Sequence, residues 1–357
     1  MTYKETLFFI GQSLTINHSN KNKIAIEKQL KENSVDWDAV VKVSTGHFVF
    51  PALYCNLKRA NFLHYLPEDL VNYMVHITDL NRTRNQKIIE QAKELNELLV
   101  ANNITPIFLK GTGNLLEGLY EDIAERMVGD IDFIVSMEEY RKTISLLKRN
   151  EYNEIEIGLP KFHRHYPSMG KENRIVAIEI HKDLLEDTYS QKYNYSHIKN
   201  DLIKVDNFQL LGHIDQFHFN ILVHQMNDSG WIYNTISLRK GYDIFLISKK
   251  IDIKNYLYNL NEFNNPINCF IAANNELFNS SVPFIKNKKT EKYVNNYMKL
   301  LNASNSYRKK KHKRTSLYLV FSSKIRIVIK SFYKKDYRNW LFEKIANKLG
   351  IKKENHY

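Results

Sequence analysis

The spacing of hydrophobic positions changes along the chain, and the changes divide it into four stretches. Over the first hundred residues the period is helical. Asp36 and Asp38 open a short apolar-periodic segment, and Pro67, Glu68 and Asp69 stand where a proline and acids favour a helix start. Beyond them Leu70, Met74 and Ile77, then Ile88, Ala92, Leu95 and Leu99, keep one face apolar as far as Asn102 and Asn103, which predicts one long helix or two joined ones. From Ile104 the pattern shortens. Residues 106–109 read as a buried strand running into Gly111, and residues 112–120 as a helix that starts directly after it. Strand-like segments recur at 130–135, 152–158 and 174–181, with a helical stretch at 138–150. Beyond Asp206 the helical period returns, at 215–227, 236–249 and 266–277. The last stretch carries Leu317, Phe321, Ile325, Val328 and Phe332 at helical spacing; Ile325, Ile327 and Ile329 also suit a short strand, but helix is the better fit. No period of 20 to 50 residues recurs, which argues against a solenoid.

These patterns predict an α+β protein, a small mixed sheet flanked by N- and C-terminal helical regions. The expected boundaries are a helical region at 1–103, the core at 104–205, a second helical region at 206–303 and a tail at 304–357. A chain of 357 residues, 43% of them hydrophobic, has material for ordinary cores, which excludes small disulfide scaffolds and wholly disordered proteins. Cys55 and Cys269 have no CxxC or Cys/His cluster around them, so structural zinc and a disulfide framework drop out and a reducing cytoplasm is expected. The apolar run from Leu7 to Ile10 is too short for a signal peptide, and no stretch approaches the roughly 18 apolar residues of a membrane span. A soluble, unprocessed chain is the expectation.

Charge changes the picture once it is localised. Residues 304–357 hold 16 Lys or Arg against three acids, a net of +13, whereas residues 1–303 balance 36 bases with 36 acids. The body is neutral and the tail is basic. The high isoelectric point is therefore no sign that the folded body grips a polyanion.

Candidate chemistry lies in the sheet region. In GDIDFIV, at 129–135, Asp130 and Asp132 are two residues apart on a strand and share a face, so both can converge on a divalent metal while Ile131, Phe133 and Val135 enter the core. A solvated strand face is the plain alternative. In RIVAIEIH, at 174–181, Glu179 and His181 end one face of an otherwise apolar strand, where they need water or a partner. If that strand lies beside the Asp130 strand, Glu179 completes a three-acid site. Upstream, FLKGTGNLL turns from strand to helix at Gly111 and Thr112, an arrangement that offers backbone N–H groups and a hydroxyl to an anion.

The order strand, Gly-Thr, helix, strand with two acids, later strand with a third acid resembles the nucleotidyltransferase superfamily, with its polymerase-beta-like fold. More narrowly the chain resembles the bacterial "uncharacterised nucleotidyltransferase" family, through PIFLKGTGNLLEGLY, RMVGDIDFIV, the segment around His163 to Pro167, and VAIEIH, with outlying matches that extend the likeness over about residues 30–250. The long gap between Gly111 and Asp130, with Glu121, Asp122, Glu125 and Arg126, departs from the superfamily at large and agrees with the narrower family.

The resemblance implies a metal-dependent enzyme that moves a nucleoside monophosphate from an NTP to an acceptor. Asp130, Asp132 and Glu179 would be the catalytic and metal-holding acids, with Mg2+ or Mn2+ as cofactor. Lys110, Gly111, Thr112 and Arg126 would meet the nucleotide's phosphates, with His165, His181 and Arg239 as further substrate contacts. His163 and Arg164 are neighbouring donors, and the resemblance turns His224, Arg239 and Asp243 toward the cleft. For Arg239 and Asp243, at i and i+4, a helical ion pair is the simpler explanation. The acceptor is open, with sugar phosphates and surface-polymer precursors favoured by the tail, and the residues do not choose among ATP, CTP, GTP and UTP. Two other readings stay open: a non-catalytic nucleotide-binding or membrane-associated accessory protein, and a toxin-like transferase acting on RNA or protein. The tail has the composition of a helix lying on an anionic membrane surface, which predicts peripheral attachment at the inner face of the membrane. Packing of its apolar stripe on the body is the alternative, and nucleic acid is the less favoured partner.

Overall fold

The computed structural model describes residues 1–155, 159–253 and 261–348. The chain opens with five helices, α1 (Tyr3–Ser13), α2 (Asn20–Lys31), α3 (Trp37–Gly46), α4 (Phe50–Arg59) and α5 (Glu68–Val100). Asp36 caps α3 by accepting the Ala39 N–H at 3.0 Å, a contact of about 1 kcal/mol. The long apolar period after Pro67 is one helix of 33 residues, with Glu68 and Asp69 in its first turn, where carboxylates favour the helix dipole.

The middle of the chain then runs β1 (Ile107–Phe108), α6 (Lys110–Leu116), β2 (Ile131–Ile134), α7 (Met137–Arg149), β3 (Asn153–Glu154), β4 (Met169–Gly170), β5 (Ile178–His181), α8 (Tyr195–Ile198), β6 (Leu202–Val205) and β7 (Phe208–Leu211). Among the described residues these strands form one mixed sheet in the order β3-β4-β5-β2-β1-β7-β6. The four middle strands pair with both parallel and antiparallel neighbours. β2 lies parallel to β5 and antiparallel to β1, and β1 lies parallel to β7.

Two readings of the sequence need correction here. The strand expected at 174–181 pairs in the ladder only over its last four residues: the Ala177 carbonyl still accepts from the Ile131 N–H of β2, but the Val176 carbonyl accepts from the Gln91 side chain. The helical period expected beyond Asp206 is preceded by β7, the second strand of a tight hairpin turning at Asp206, so the sheet runs on to Leu211. Of the strand expected at 152–158, residues 156–158 lie outside the described residues.

Among the described residues seven further helices follow: α9 (His213–Leu222), which continues as a π-helical turn over Val223–Asn227, then α10 (Gly230–Tyr233), α11 (Leu238–Ile247), α12 (Asn264–Phe278), α13 (Lys288–Asn302), α14 (Asn305–Ser331) and α15 (Lys335–Lys348). The early and late helices interlock. Asn22 donates to the Phe278 carbonyl at 2.8 Å, and Asn56 to the Tyr242 hydroxyl at 3.1 Å. Gly241 lets α11 approach α12 so closely that a Cβ there would stand 2.2 Å from Asn274 Oδ1. Ile88, Ala92, Leu95 and Leu99 of α5 share one continuous core with Ile131, Phe133, Ile178 and Ile180 of the sheet. Cys55 and Cys269 are both buried and free.

The tail is helical, as its spacing predicts, but its apolar stripe does not pack on the body. Leu317, Phe321, Ile325, Val328 and Phe332 are all exposed, Phe332 to 79%. The pair α14 and α15 is attached elsewhere, at Asp187. That carboxylate accepts from Lys334 and Tyr337 at 2.9 Å each and from Lys330, and these partners outweigh its burial to hold its pKa near 2. Tyr337 also stacks on Phe162 with ring centroids 3.7 Å apart. No helix among the described residues is long and apolar enough to cross a membrane.

Burial also sets a pH dependence. It holds the His218 imidazole down to about 4, and burial with the nearby His224 does the same to His47. In the unfolded chain each protonates near 6.5. Between those values the unfolded state binds more protons, so stability is full above about pH 6.5 and falls as the pH drops toward 4. Melting temperature measured from pH 7 to 4.5 is expected to decline, and His218→Gln is expected to flatten the decline by an amount equivalent to on the order of 2 kcal/mol.

Candidate active site

The register of β2 and β5 builds the site. Asp132 and Glu179 are direct partners across the parallel pair, so their side chains leave the same face at the same level, about one strand spacing apart. Two residues further on, His181 returns to that face, and a bridge with His165 brings a second imidazole beside it. Lys110 comes from the other side, at the turn between β1 and α6. Its backbone is in the left-handed region, with φ of 51°, a conformation costing a non-glycine residue roughly 1–2 kcal/mol. Such strain persists where surrounding contacts over-determine it, and here they do.

Those contacts form a tight charge cluster. Lys110 Nζ donates to Asp132 Oδ1 at 2.5 Å and lies 3.7 Å from Glu179 Oε2 and 3.4 Å from His181 Nε2. His181 Nε2 is 2.8 Å from Asp132 Oδ1 and 3.6 Å from Glu179 Oε2. His165 Nε2 lies 3.6 Å from the same Glu179 oxygen, and Ser168 donates to the other at 3.3 Å. Burial alone would raise the Asp132 pKa, but the Lys110 ammonium and His181 override it and hold the carboxyl well below the usual range. Glu179 is lowered too, burial again opposing and His181 and Lys110 prevailing. Burial would lower the Lys110 pKa, and the two acids raise it instead. Asp130 is pushed up to about 6, by burial first and then by Asp132.

A cation fits this set. Ligand atoms of Asp132, Glu179 and His181 all lie within 4.8 Å of one another, and two carboxylates with an imidazole suit a divalent ion of hard to borderline character. His181 Nδ1 lies 3.4 Å from the Asp183 carbonyl. His181 joins Asp132 and Glu179 in this group, while Asp130 stands close enough for Asp132 and Glu179 to raise its pKa. Asp130 sits at the start of β2, its carbonyl accepting from the Thr112 hydroxyl at 2.9 Å.

The remaining expected residues are more dispersed. Gly111 and Thr112 open α6 beside Lys110, as the strand-turn-helix reading requires. Arg126 lies behind that turn, 4% exposed, with Nε donating to Asp243 at 3.1 Å and Nη1 to the Met127 carbonyl at 2.6 Å. A Cβ on Gly111 would stand 3.3 Å from Arg126 Nη2, so this guanidinium supports the turn from beneath instead of opening toward a phosphate. The helical ion pair expected between Arg239 and Asp243 is replaced by the Arg126 pair. Arg239 instead lies over the Phe48 ring at 4.9 Å and donates to the Met127 carbonyl at 3.3 Å, and burial together with Arg126 lowers its pKa to about 10. His224 bonds the Thr235 carbonyl at 2.9 Å, a structural role. His163 packs edge-on to His165 at 4.2 Å, and burial with that neighbour lowers it to about 3.

The acids of the long loop are spoken for. Arg59 pairs with Glu125 at 2.7 Å and Glu121 at 3.3 Å, Arg82 pairs with Asp122 at 2.7 Å, and Asn81 and Asn85 of α5 bond the Ala124 and Arg126 carbonyls at 2.7 Å each. Ser168 and the Arg126–Asp243 pair escape sequence reasoning, since neither has a local motif and Asp243 is 117 residues from Arg126.

No curated protein and no solved structure matches the chain. A family model does, over residues 33–264, a span that contains β1, the Gly-Thr turn and every residue of the charge cluster. With acids level on adjacent strands and a strand-turn-helix beside them, the chain belongs to the family described as uncharacterised nucleotidyltransferase.

Proposed function

We propose that this nucleotidyltransferase is metal-dependent and transfers a nucleoside monophosphate from an NTP to an acceptor hydroxyl or phosphate. The observation that carries the reading is the pairing of Asp132 with Glu179 across β2 and β5, with His181 and Lys110 between them. Asp132, Glu179 and His181 hold Mg2+ or Mn2+, and Asp130 adds charge at the edge of the group. The chemistry such an ion supplies is neutralisation of the phosphate oxygens and of the leaving pyrophosphate. Gly111 and Thr112 offer their N–H groups to the nucleotide's phosphates, and Lys110 adjoins them in sequence. His165 donates Nδ1–H to the Tyr166 carbonyl at 2.7 Å, which leaves Nε2 as the proton acceptor, and its lowered pKa, set by burial, keeps it neutral at pH 7. The retained acids Asp130, Asp132 and Glu179 favour catalysis over an accessory role.

The test is pyrophosphate release from each of the four NTPs by the full chain, with Mg2+ or Mn2+, against candidate acceptors. Glu179→Gln is expected to reduce turnover by at least about a hundredfold and to weaken Mn2+ binding in calorimetry. Unchanged Mn2+ affinity in that variant would remove Glu179 from the site.

The tail supports peripheral membrane attachment. α14 carries no acid, and Leu317, Phe321, Ile325 and Val328 stand exposed among Lys324, Arg326 and Lys330. Bases near an anionic surface contribute about 1 kcal/mol each. The full chain is expected to pellet with phosphatidylglycerol vesicles at physiological salt, and the double variant Phe321→Glu with Ile325→Glu to stay in the supernatant. Equal pelleting of both would end this reading.

A further inference from the structure

Away from the charge cluster, the first helices and the start of the tail line a cavity of about 680 Å³. That volume falls in the range of small-molecule sites. Its walls are apolar, made by Leu7, Val43, Ile236, Leu300 and Leu301. Its cations are Lys42, Arg308, Lys309 and Lys311, and among the described residues no acid lines it. Two of the groups on the α14 side are held by rings. The Arg308 guanidinium lies 4.3 Å over Tyr3, and His312 stacks on Tyr233 at 4.7 Å.

One polar atom in this cavity lacks a partner. Tyr297 is 2% exposed, lines the cavity, and its hydroxyl makes no hydrogen bond within the protein. A buried hydroxyl left unsatisfied is destabilising, and native proteins rarely leave one without cause. A ligand oxygen would satisfy it. Apolar walls, an unbalanced set of cations and an orphaned phenol together describe a ligand with a hydrocarbon body, an anionic head and an oxygen near their junction.

We propose that this cavity binds a single-chain anionic amphiphile, its hydrocarbon chain against Leu7, Val43 and Ile236 and its phosphate or carboxylate head among Lys42, Arg308 and Lys311. This site is separate from the nucleotidyl-transfer reading and from attachment of the exposed stripe of α14 to a membrane surface.

The test uses the full chain without nucleotide or metal, so its outcome does not depend on catalysis. Calorimetric titration with dodecyl phosphate and with dodecanoate, each below its critical micelle concentration, is expected to show one equivalent bound. The tighter of the two identifies the head as phosphate or carboxylate. Tyr297→Phe is expected to weaken binding about tenfold, and Val43→Trp, which obstructs the apolar wall against which the chain lies, to weaken it further. Circular dichroism serves as the folding control, and the near-isosteric Tyr297→Phe keeps the test valid if Val43→Trp fails to fold. Neutral dodecyl maltoside and inorganic phosphate are each expected to bind at least about tenfold more weakly. Absence of binding by both anionic probes would overturn the proposal, as would undiminished binding by both variants. Equal binding of dodecyl maltoside would overturn the anionic head, and equal binding of inorganic phosphate the hydrocarbon body.

Discussion

Asp132→Asn is expected to abolish nucleotidyl transfer while leaving the fold intact. Asp132 is the more deeply buried of the paired acids, bonded to Lys110 at 2.5 Å and His181 at 2.8 Å while only 2% exposed. The substitution keeps volume and shape but removes the charge that a cation needs and that holds Lys110 protonated. Losses of at least about a hundredfold in metal affinity and on the order of a thousandfold in rate are expected. Calorimetric titration with Mn2+ and a pyrophosphate-release assay would measure them, with circular dichroism as the folding control. Metal affinity within twofold of the unaltered chain would show that the cluster is a structural ion network centred on Lys110.

The largest effect on stability is expected from Asp243→Asn. Asp243 is fully buried, and its carboxylate receives Arg126 at 3.1 Å on one oxygen and the Tyr120 hydroxyl at 2.7 Å on the other. Breaking such a pair leaves a guanidinium uncompensated in the interior, at a cost of about 3–5 kcal/mol. Replacing both partners removes the stranded charge, so Arg126→Met with Asp243→Leu is expected to cost less than the sum of the single changes. Thermal unfolding would read both. Because Arg126 packs beneath Gly111, the single variant is also expected to lower activity through the turn that it supports. A cost below about 1 kcal/mol for Asp243→Asn would indicate that Arg126 finds another partner.

What could be read from the sequence follows from what is local. Helix periods sustained over several turns, as in α5 and α12, announce themselves, and so does the i, i+2 spacing that puts Glu179 and His181 on one face. The resemblance carried the pairing of the Asp132 and Glu179 strands, which spacing alone leaves conditional. Short strands were less legible. β6 and β7 have four residues each around Asp206 and Asn207, too few for alternation to stand out against the neighbouring helical pattern. Partners distant in sequence were not legible at all. The i, i+4 spacing of Arg239 and Asp243 suggested a helical pair, whereas burial gave Asp243 to Arg126, because an interior carboxylate needs the cation that can follow it out of water.

The interlocking of early and late helices has a consequence for the order in which the molecule can assemble during synthesis. Asn22 finds its carbonyl acceptor at Phe278, 256 residues later, and β1 waits for β7 before its second edge is covered. At about 5–20 residues per second, α2 spends roughly ten to fifty seconds outside the ribosome before α12 exists. During that interval the faces of α1 and α2 that α12 covers stay without their final partner. The chain therefore closes late, and its N-terminal helices are the natural clients of whatever shields nascent hydrophobic surface in the cell.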